Sequence, residues 1–475
     1  MPAKKLILHV AAECTPFVKI GGLADVVGSL PQALATTTNH SAVVLPLYEP
    51  KQLQLLTKVT SHSTTIDFAG VPTNITVHQG RRSGAAVDYY FLQHTLFQRQ
   101  SPYSTDIEAD IELFSFFSYC VVELLGSLIP RPDIIHCHDW HTGLIPTLID
   151  NRYQRETNWP TIPTVFTIHN LAHQGIGSHK ILSKIKLRPD NEPALLEDYY
   201  DDSVLNILKV AILSADKVTT VSPTYAREIM AGSQDFGLAS YLKRRKYDFS
   251  GILNGIDTKT FDPAHDQAIY RRYTAKTWKQ NKVVNKHRLQ TELGLPHNDL
   301  PLATLITRLT PQKGIDLLLP LLPKLTKSMQ LIILGQGDAS IEQQVSQLAQ
   351  RFPQAIQFRP QLDLTLAQKI YAGADILLMP SRFEPCGLGQ MIAMRYGTVP
   401  VIRSTGGLKD SVKNNLTGFS FNAYSSAALL TAIRHALAVY QSPKRWYTVV
   451  NRCLKQDFSW VRSAKQYQKI YNHLL

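Results

Sequence analysis

Short apolar runs separated by helical patterns recur along this chain, and nothing constrains its fold more. In the second half the runs are 302–307, 331–334, 376–379 and 399–402, and helical spacing fills 341–352, 364–372 and 388–396 between them. Apolar runs without polar alternation read as strands covered on both faces, and parallel neighbours need helical crossovers. The series is therefore a βαβ array with helices on both sides of a parallel sheet. The first half repeats the scheme, with strands expected at 6–11, 42–45, 134–137, 164–168, 217–221 and 251–253. Alternating residues at 73–78 and 87–92 predict an inserted hairpin. A chain of 475 residues has room for two such arrays. The predicted fold class is α/β, with two doubly wound domains. Basic residues accumulate and strand patterns vanish over 257–301, which places the boundary: 1–260, then 261–455. Residues 456–475 predict a C-terminal amphipathic helix carrying Trp460, Ala464, Tyr467 and Tyr471 on one face.

Composition narrows the partners. Fifty Lys and Arg against 37 Asp and Glu give a formal charge of +13, which suits nucleotides, nucleic acid or an acidic membrane surface. No run reaches the roughly 18 apolar residues of a membrane span, so no membrane partner is expected. The basic run Lys243-Arg244-Arg245-Lys246 has no interleaved aromatic residues and reads as a solvated face, not a nucleic-acid surface. Five widely spaced cysteines without a C-x-x-C predict neither disulfide framework nor zinc knuckle, and fit the reducing cytoplasm. The apolar start is broken by His9 and closed by Glu13, so it reads as a first strand instead of a signal peptide.

In doubly wound sheets ligands bind at the carboxyl ends of strands, so chemistry is expected in the loops that follow them. After the first strand, Lys19 and Gly21-Gly22 open a helix; the pair reads either as an anion cradle or as a plain strand-to-helix turn. The run His136-Cys137-His138-Asp139-Trp140-His141 looks metal-binding at first sight. His136 and His138 share a face with Cys137 turned away, and no second cluster accompanies them, which favours a polar or substrate-contacting loop without metal. His169 follows another strand, where catalytic and structural roles are equally open. In the second half, Arg308 and Lys313 on one loop can clamp a diphosphate. Ser381 to Leu388 and Thr405-Gly406-Gly407 follow the next strands, and there Glu384 can be a sugar ligand or a helix-dipole carboxylate. Neither G-x-x-x-x-G-K-[ST] nor G-x-G-x-x-G is present.

Taken together, these stretches resemble the bacterial glycogen synthases and plant starch synthases. The resemblance rests on Lys19-Ile20-Gly21-Gly22-Leu23-Ala24-Asp25-Val26, His138-Asp139-Trp140-His141 and His169-Asn170-Leu171-Ala172. It continues through Leu253-Asn254-Gly255-Ile256-Asp257, Glu384-Pro385-Cys386-Gly387-Leu388 and Ser404 to Leu408. It implies two Rossmann-like domains facing a cleft, the GT-B arrangement, with a last helix crossing back to the first domain. It also implies retaining transfer of glucose from ADP-glucose to the non-reducing end of an α-1,4-glucan such as glycogen, with no metal or other cofactor.

Carried over residue by residue, the resemblance makes Glu384, His169, Arg308 and Lys313 the catalytic set. The substrate-binding set is Lys19, Gly21, Gly22, Asp25, Asp139, Asn170, Asn254, Cys386, Gly387, Leu388, Thr405, Gly406 and Gly407. The N–H groups at Thr405 to Gly407 are expected at the departing phosphate. Two positions depart from the family pattern: Leu362 stands where an aromatic residue usually lies against the base, and a D-N-x-x-R-F pattern reads Ala109-Asp110-Ile111-Glu112-Leu113-Phe114. The alternatives are a UDP-glucose-using glucosyltransferase or a binding protein that has lost turnover. The sequence assigns no oligomeric state.

Overall fold

The structure, a computed structural model, describes residues 4–35, 39–156, 159–187, 204–361 and 363–475. The chain forms two compact units: Met1–Asn254 together with Trp460–Leu475, and Gly255–Ser459.

The first unit is built on a nine-stranded sheet. In chain order its strands are β1 (Lys5–Val10), β2 (Asn39–Pro46), β3 (Thr57–Phe68), β4 (Val71–Arg81), β5 (Val87–Gln93), β6 (Ile134–His138) and β7 (Thr164–Ile168). A separate two-stranded pair, β8 (Ile176–Ser178) and β9 (Val204–Asn206), precedes β10 (Lys217–Thr220) and β11 (Phe249–Gly251), which complete the large sheet. Spatial order is β11-β10-β7-β6-β1-β2-β5-β4-β3. All neighbours are parallel except β5/β4 and β4/β3. The expected hairpin exists as β4 and β5, and it carries a third strand, β3, that the sequence did not announce. The helix Gly22–Leu34 buries Val26, Leu30 and Leu34 in one cluster with Ile7, Ile134, Trp460, Ala464, Tyr467 and Tyr471. The C-terminal helix Trp460–Leu474 thus covers one face of the first unit's sheet with the side its sequence marked apolar.

The second unit has six parallel strands, β12 (Leu302–Ile306), β13 (Gln330–Leu334), β14 (Ile356–Arg359), β15 (Ile376–Met379), β16 (Val399–Arg403) and β17 (Phe419–Phe421). Their spatial order, β14-β13-β12-β15-β16-β17, is the doubly wound 3-2-1-4-5-6 pattern. The sequence reverses direction between β12 and β15, and in the first sheet between β1 and β6. Loops leaving these strands diverge and open a crevice at each switch point.

Basic residues that suggested an anionic partner turn out in part to be internal. Lys282, on the helix Trp278–Leu293, is buried and donates to the carbonyls of Tyr371 (3.1 Å) and Ala372 (3.0 Å) and to Thr398 Oγ1 (2.8 Å). Its neighbour Lys286 pairs with Asp375 at 2.8 Å and donates to the Leu300 carbonyl at 2.7 Å. Because Asp375 also accepts from the Leu302 amide, this ion pair fixes the start of β12 against the residue before β15. In the basic run, Arg245 donates to the carbonyls of Ile212, Leu213 and Ala215 and so closes the C-terminal end of the helix Ile207–Ser214. Among the described residues no helix is long and apolar enough to cross a membrane.

Candidate active site

At the second switch point, two loops are welded into one platform. The Arg382 amide donates to the Gln312 carbonyl at 2.8 Å, and Gln312 Nε2 returns a bond to the Phe383 carbonyl at 3.3 Å. Gly314 sits at φ 68°, and a Cβ there would lie 2.0 Å from the Pro380 carbonyl oxygen, so only glycine permits the approach. Across this weld Lys313 Nζ donates to both oxygens of the Glu384 carboxylate, at 3.0 and 2.7 Å, and Ser381 Oγ donates to one of them at 3.0 Å. Both Lys313 and Glu384 are largely shielded from solvent, at 15% and 8% side-chain exposure, so the pair acts in a medium where charge interactions are strong. Arg308, at the start of the same loop as Lys313, is exposed, and among the described residues its guanidinium has no partner.

A third loop closes over the platform. The Gly407 amide donates to the carbonyls of Glu384 (3.1 Å) and Pro385 (3.2 Å), and the Thr405 amide donates to Arg403 at 3.0 Å. The expected phosphate donors at Thr405 and Gly407 are therefore engaged within the chain, and the Gly407 amide holds the Glu384 loop. Gln390, which the sequence did not single out, supports the same turn from below. Its Nε2 donates to the carbonyls of Gly387 (2.8 Å) and Cys386 (3.2 Å) and to Ser411 Oγ (2.9 Å). Gly387 takes φ 71°, and Leu388 leads into the helix Gly389–Arg395.

In the first unit the Gly-Gly opening is also occupied from within. Glu13 Oε2 accepts from the amides of Ile20 (2.6 Å) and Gly21 (2.9 Å), while Tyr103 donates its hydroxyl to Glu13 Oε1. The cradle read from Gly21 and Gly22 thus already holds a carboxylate, the anion such a turn is suited to bind. Lys19 Nζ pairs with Asp25 at 2.7 Å with both side chains part-exposed, so the two residues named from the motif do meet.

Asp139 follows β6 in a backbone conformation rare for a non-glycine residue, φ 57° and ψ 176°. Its Oδ1 accepts from the His169 amide at 2.7 Å. Burial pushes the Asp139 carboxyl up to about 7, opposed by the amides of His169 and Asn170. Burial likewise pushes His169 down to about 3, so it stands as a neutral imidazole at neutral pH. Asn170 Oδ1 accepts from the Ala172 amide at 3.1 Å. Asn254 is buried, and among the described residues its side-chain oxygen has no hydrogen-bond partner, an unmet acceptor of the kind that marks a ligand site. His136 and His138 lie inside β6, not in the loop after it, and the Cys137 side chain faces the opposite core. At the departing segment 109–114, Asp110 is buried and ion-paired with Arg99 and accepts from the Ser104 amide at 3.1 Å. Leu362 lies outside the described residues.

Residues 6–244 match the family described as Starch synthase catalytic domain, and residues 289–449 match Glycosyl transferases group 1. The glycogen synthase of Geobacillus thermodenitrificans is 39% identical over 480 residues, covering 99% of this chain and 98% of that protein. This chain belongs to the glycogen and starch synthase family. The glycogen synthase of Exiguobacterium sibiricum is also 39% identical, with 98% of each chain covered. Among solved structures, the catalytic domain of starch synthase IV from Arabidopsis thaliana, bound to ADP and acarbose, superposes with a TM-score of 0.92. It is 33% identical, and 99% of each chain is covered. A sucrose-phosphate synthase from Thermosynechococcus elongatus, 18% identical with a TM-score of 0.63 over 99% of each chain, shares the fold. The two Rossmann-like domains are accordingly those of a GT-B glycosyltransferase, and the glycogen synthase family makes the chain an enzyme of glucan synthesis.

Proposed function

We propose that the enzyme moves glucose from ADP-glucose to the 4-hydroxyl at the non-reducing end of an α-1,4-glucan such as glycogen, with retention of configuration and without a metal or other cofactor. The observation that carries this reading is the shielded Lys313–Glu384 pair at the switch point, with Arg308 on the same loop. When the bond between C1 and the β-phosphate oxygen breaks, its electron pair stays on the phosphate. Two cationic side chains there stabilise the growing charge more in the transition state than in the ground state. Lys313 spends two N–H bonds on Glu384 and keeps a third for the phosphate. Glu384 orients the donor glucose, and His169 donates a hydrogen bond to it. The acceptor hydroxyl attacks from the face the phosphate leaves and passes its proton to a phosphate oxygen, which makes retention possible with no enzyme carboxylate as nucleophile.

The ADP in the starch synthase IV structure, at 33% identity, supports the donor assignment, and its acarbose supports a glucan-like acceptor. Acceptor contacts fall to the first unit, around Asp139, Asn170 and the Glu13–Tyr103 pair. A cytoplasmic setting belongs to the same reading, supported by five buried cysteines that form no disulfide among the described residues. The donor is tested by kcat/KM for ADP-glucose and UDP-glucose with glycogen as acceptor. ADP-glucose is expected ahead, and EDTA is expected to leave the rate unchanged. Equal values, UDP-glucose ahead, or loss of turnover in EDTA would each overturn the assignment.

A further inference from the structure

Three buried imidazoles form a hydrogen-bonded row that ends at His169. In the register of the first sheet His9 of β1 stands beside His136 of β6, and the period of two along a strand puts His138 on the same face. His9 Nδ1 lies 3.1 Å from His138 Nε2, and His138 Nδ1 lies 3.1 Å from His169 Nε2. His136 stands beside the row, tied by Nδ1 to the Tyr471 hydroxyl at 2.7 Å and by Nε2 to Thr167 Oγ1 at 2.6 Å. Nitrogens of His9, His136 and His138 approach within 4.8 Å of one another, a spacing open to metal binding. Both nitrogens of His136 and of His138 are already engaged, so of this cluster His9 Nε2 alone is left to offer an ion.

Burial keeps these rings neutral: His9 and His169 are pushed down to about 3, and His138 well below its ordinary range. A neutral imidazole donates at one nitrogen and accepts at the other, so the direction of the row fixes three tautomers at once. If His169 donated from Nε2 toward His138, the row would end in an N–H at His9 Nε2. Among the described residues that atom is buried without a partner. The reverse direction leaves there only a bare lone pair. In folded proteins an orphaned buried N–H is rarer than an under-satisfied acceptor, as the backbone shows.

We infer that the row runs from His9 through His138 to His169, with the proton on Nδ1 of each ring, so that His169 presents Nδ1–H as a donor to the sugar. His9 and His138 are then positioning residues that hold the His169 tautomer. The inference rests on the proposed role of His169 and adds which nitrogen acts and what sets it.

Nitrogen-15 NMR of the unaltered, ligand-free enzyme labelled at histidine reads the tautomers directly, with the His169 signals assigned from the spectrum of His169→Asn. A protonated Nδ1 and an unprotonated Nε2 on His169 are expected; the opposite pattern overturns the proposal. Kinetically, His9→Leu should lower kcat roughly tenfold or more with little change in KM for the donor. His9→Asn, whose amide N–H falls near the place of Nδ1, should restore most of it. Wild-type kcat in a folded His9→Leu contradicts the role, and if that variant does not fold the spectrum decides alone. If His169→Ala keeps wild-type kcat, the donor role itself falls, while the ligand-free spectrum still reports the direction of the row separately.

Discussion

Lys313→Ala and Arg308→Ala are each expected to lower kcat by about a hundredfold or more, with a smaller rise in KM for the donor. Charge on the departing phosphate grows as the glycosidic bond breaks, so a cation placed there is worth more in the transition state than in the bound donor. The two variants differ in what else they disturb. Arg308 is exposed and unpaired among the described residues, so its loss should leave thermal stability unchanged and touch turnover alone. Removing Lys313 leaves the Glu384 carboxylate shielded from water with, among the described residues, only the Ser381 side chain donating to it, which costs roughly 3 to 5 kcal/mol of stability when a buried pair is broken from one side. Adding Glu384→Gln to Lys313→Ala should recover much of that stability and none of the activity. Thermal melts beside steady-state kinetics separate the effects; near-wild-type kcat in Arg308→Ala and Lys313→Ala together would remove the proposed phosphate clamp.

Gly406→Ala is the second large effect, on stability and turnover at once. Gly406 has φ 45°, and a Cβ there would lie 1.9 Å from the Glu384 carbonyl oxygen. The left-handed conformation alone costs a non-glycine residue of order 1 to 3 kcal/mol. The overlap falls on backbone, so relief requires moving the loop that carries Glu384. Gly294 is the control: it also has positive φ, 74°, but open space where its Cβ would be, at the end of the helix Trp278–Leu293. Gly294→Ala should lose stability by the conformational term alone and keep its kcat, whereas Gly406→Ala should lose more stability and at least a hundredfold in kcat. Equal behaviour of the two variants would mean that Gly406 is only a turn.

The edge strands β14, with only its first residue buried, and β17, three residues long, were missed, whereas most other parallel strands were legible because they are largely buried and read as apolar runs. β3 was not: its sequence Thr-Lys-Val-Thr-Ser-His-Ser-Thr-Thr-Ile-Asp-Phe is exposed along most of its length at a sheet edge, so neither face imposes an apolar alternation. At the sites, the residues singled out as lying after strands do follow β1, β7, β12, β15 and β16, a placement that depends only on strand order. What those residues touch was less visible. Glu13 meets the Gly21 amide eight residues on and the Tyr103 hydroxyl ninety residues on; a strand-end Glu before a Gly-Gly turn carries the first signal, and nothing in the sequence carries the second. The amides of Thr405 to Gly407 were carried to phosphate by the resemblance; here the Gly407 amide docks one loop on another, and that of Thr405 bonds the Arg403 carbonyl. The histidine row required the register of β1 against β6, which no local pattern encodes.

The proposed reaction is retaining transfer from ADP-glucose to an α-1,4-glucan. Proton NMR of the purified enzyme with ADP-glucose and a maltooligosaccharide follows it most directly, because the donor's anomeric signal, the new linkage and free ADP are read in one sample. The donor signal is expected to be replaced by an α-1,4 anomeric signal, with one ADP released per linkage formed. A β-linked product, or binding of ADP-glucose without any new linkage, would contradict it.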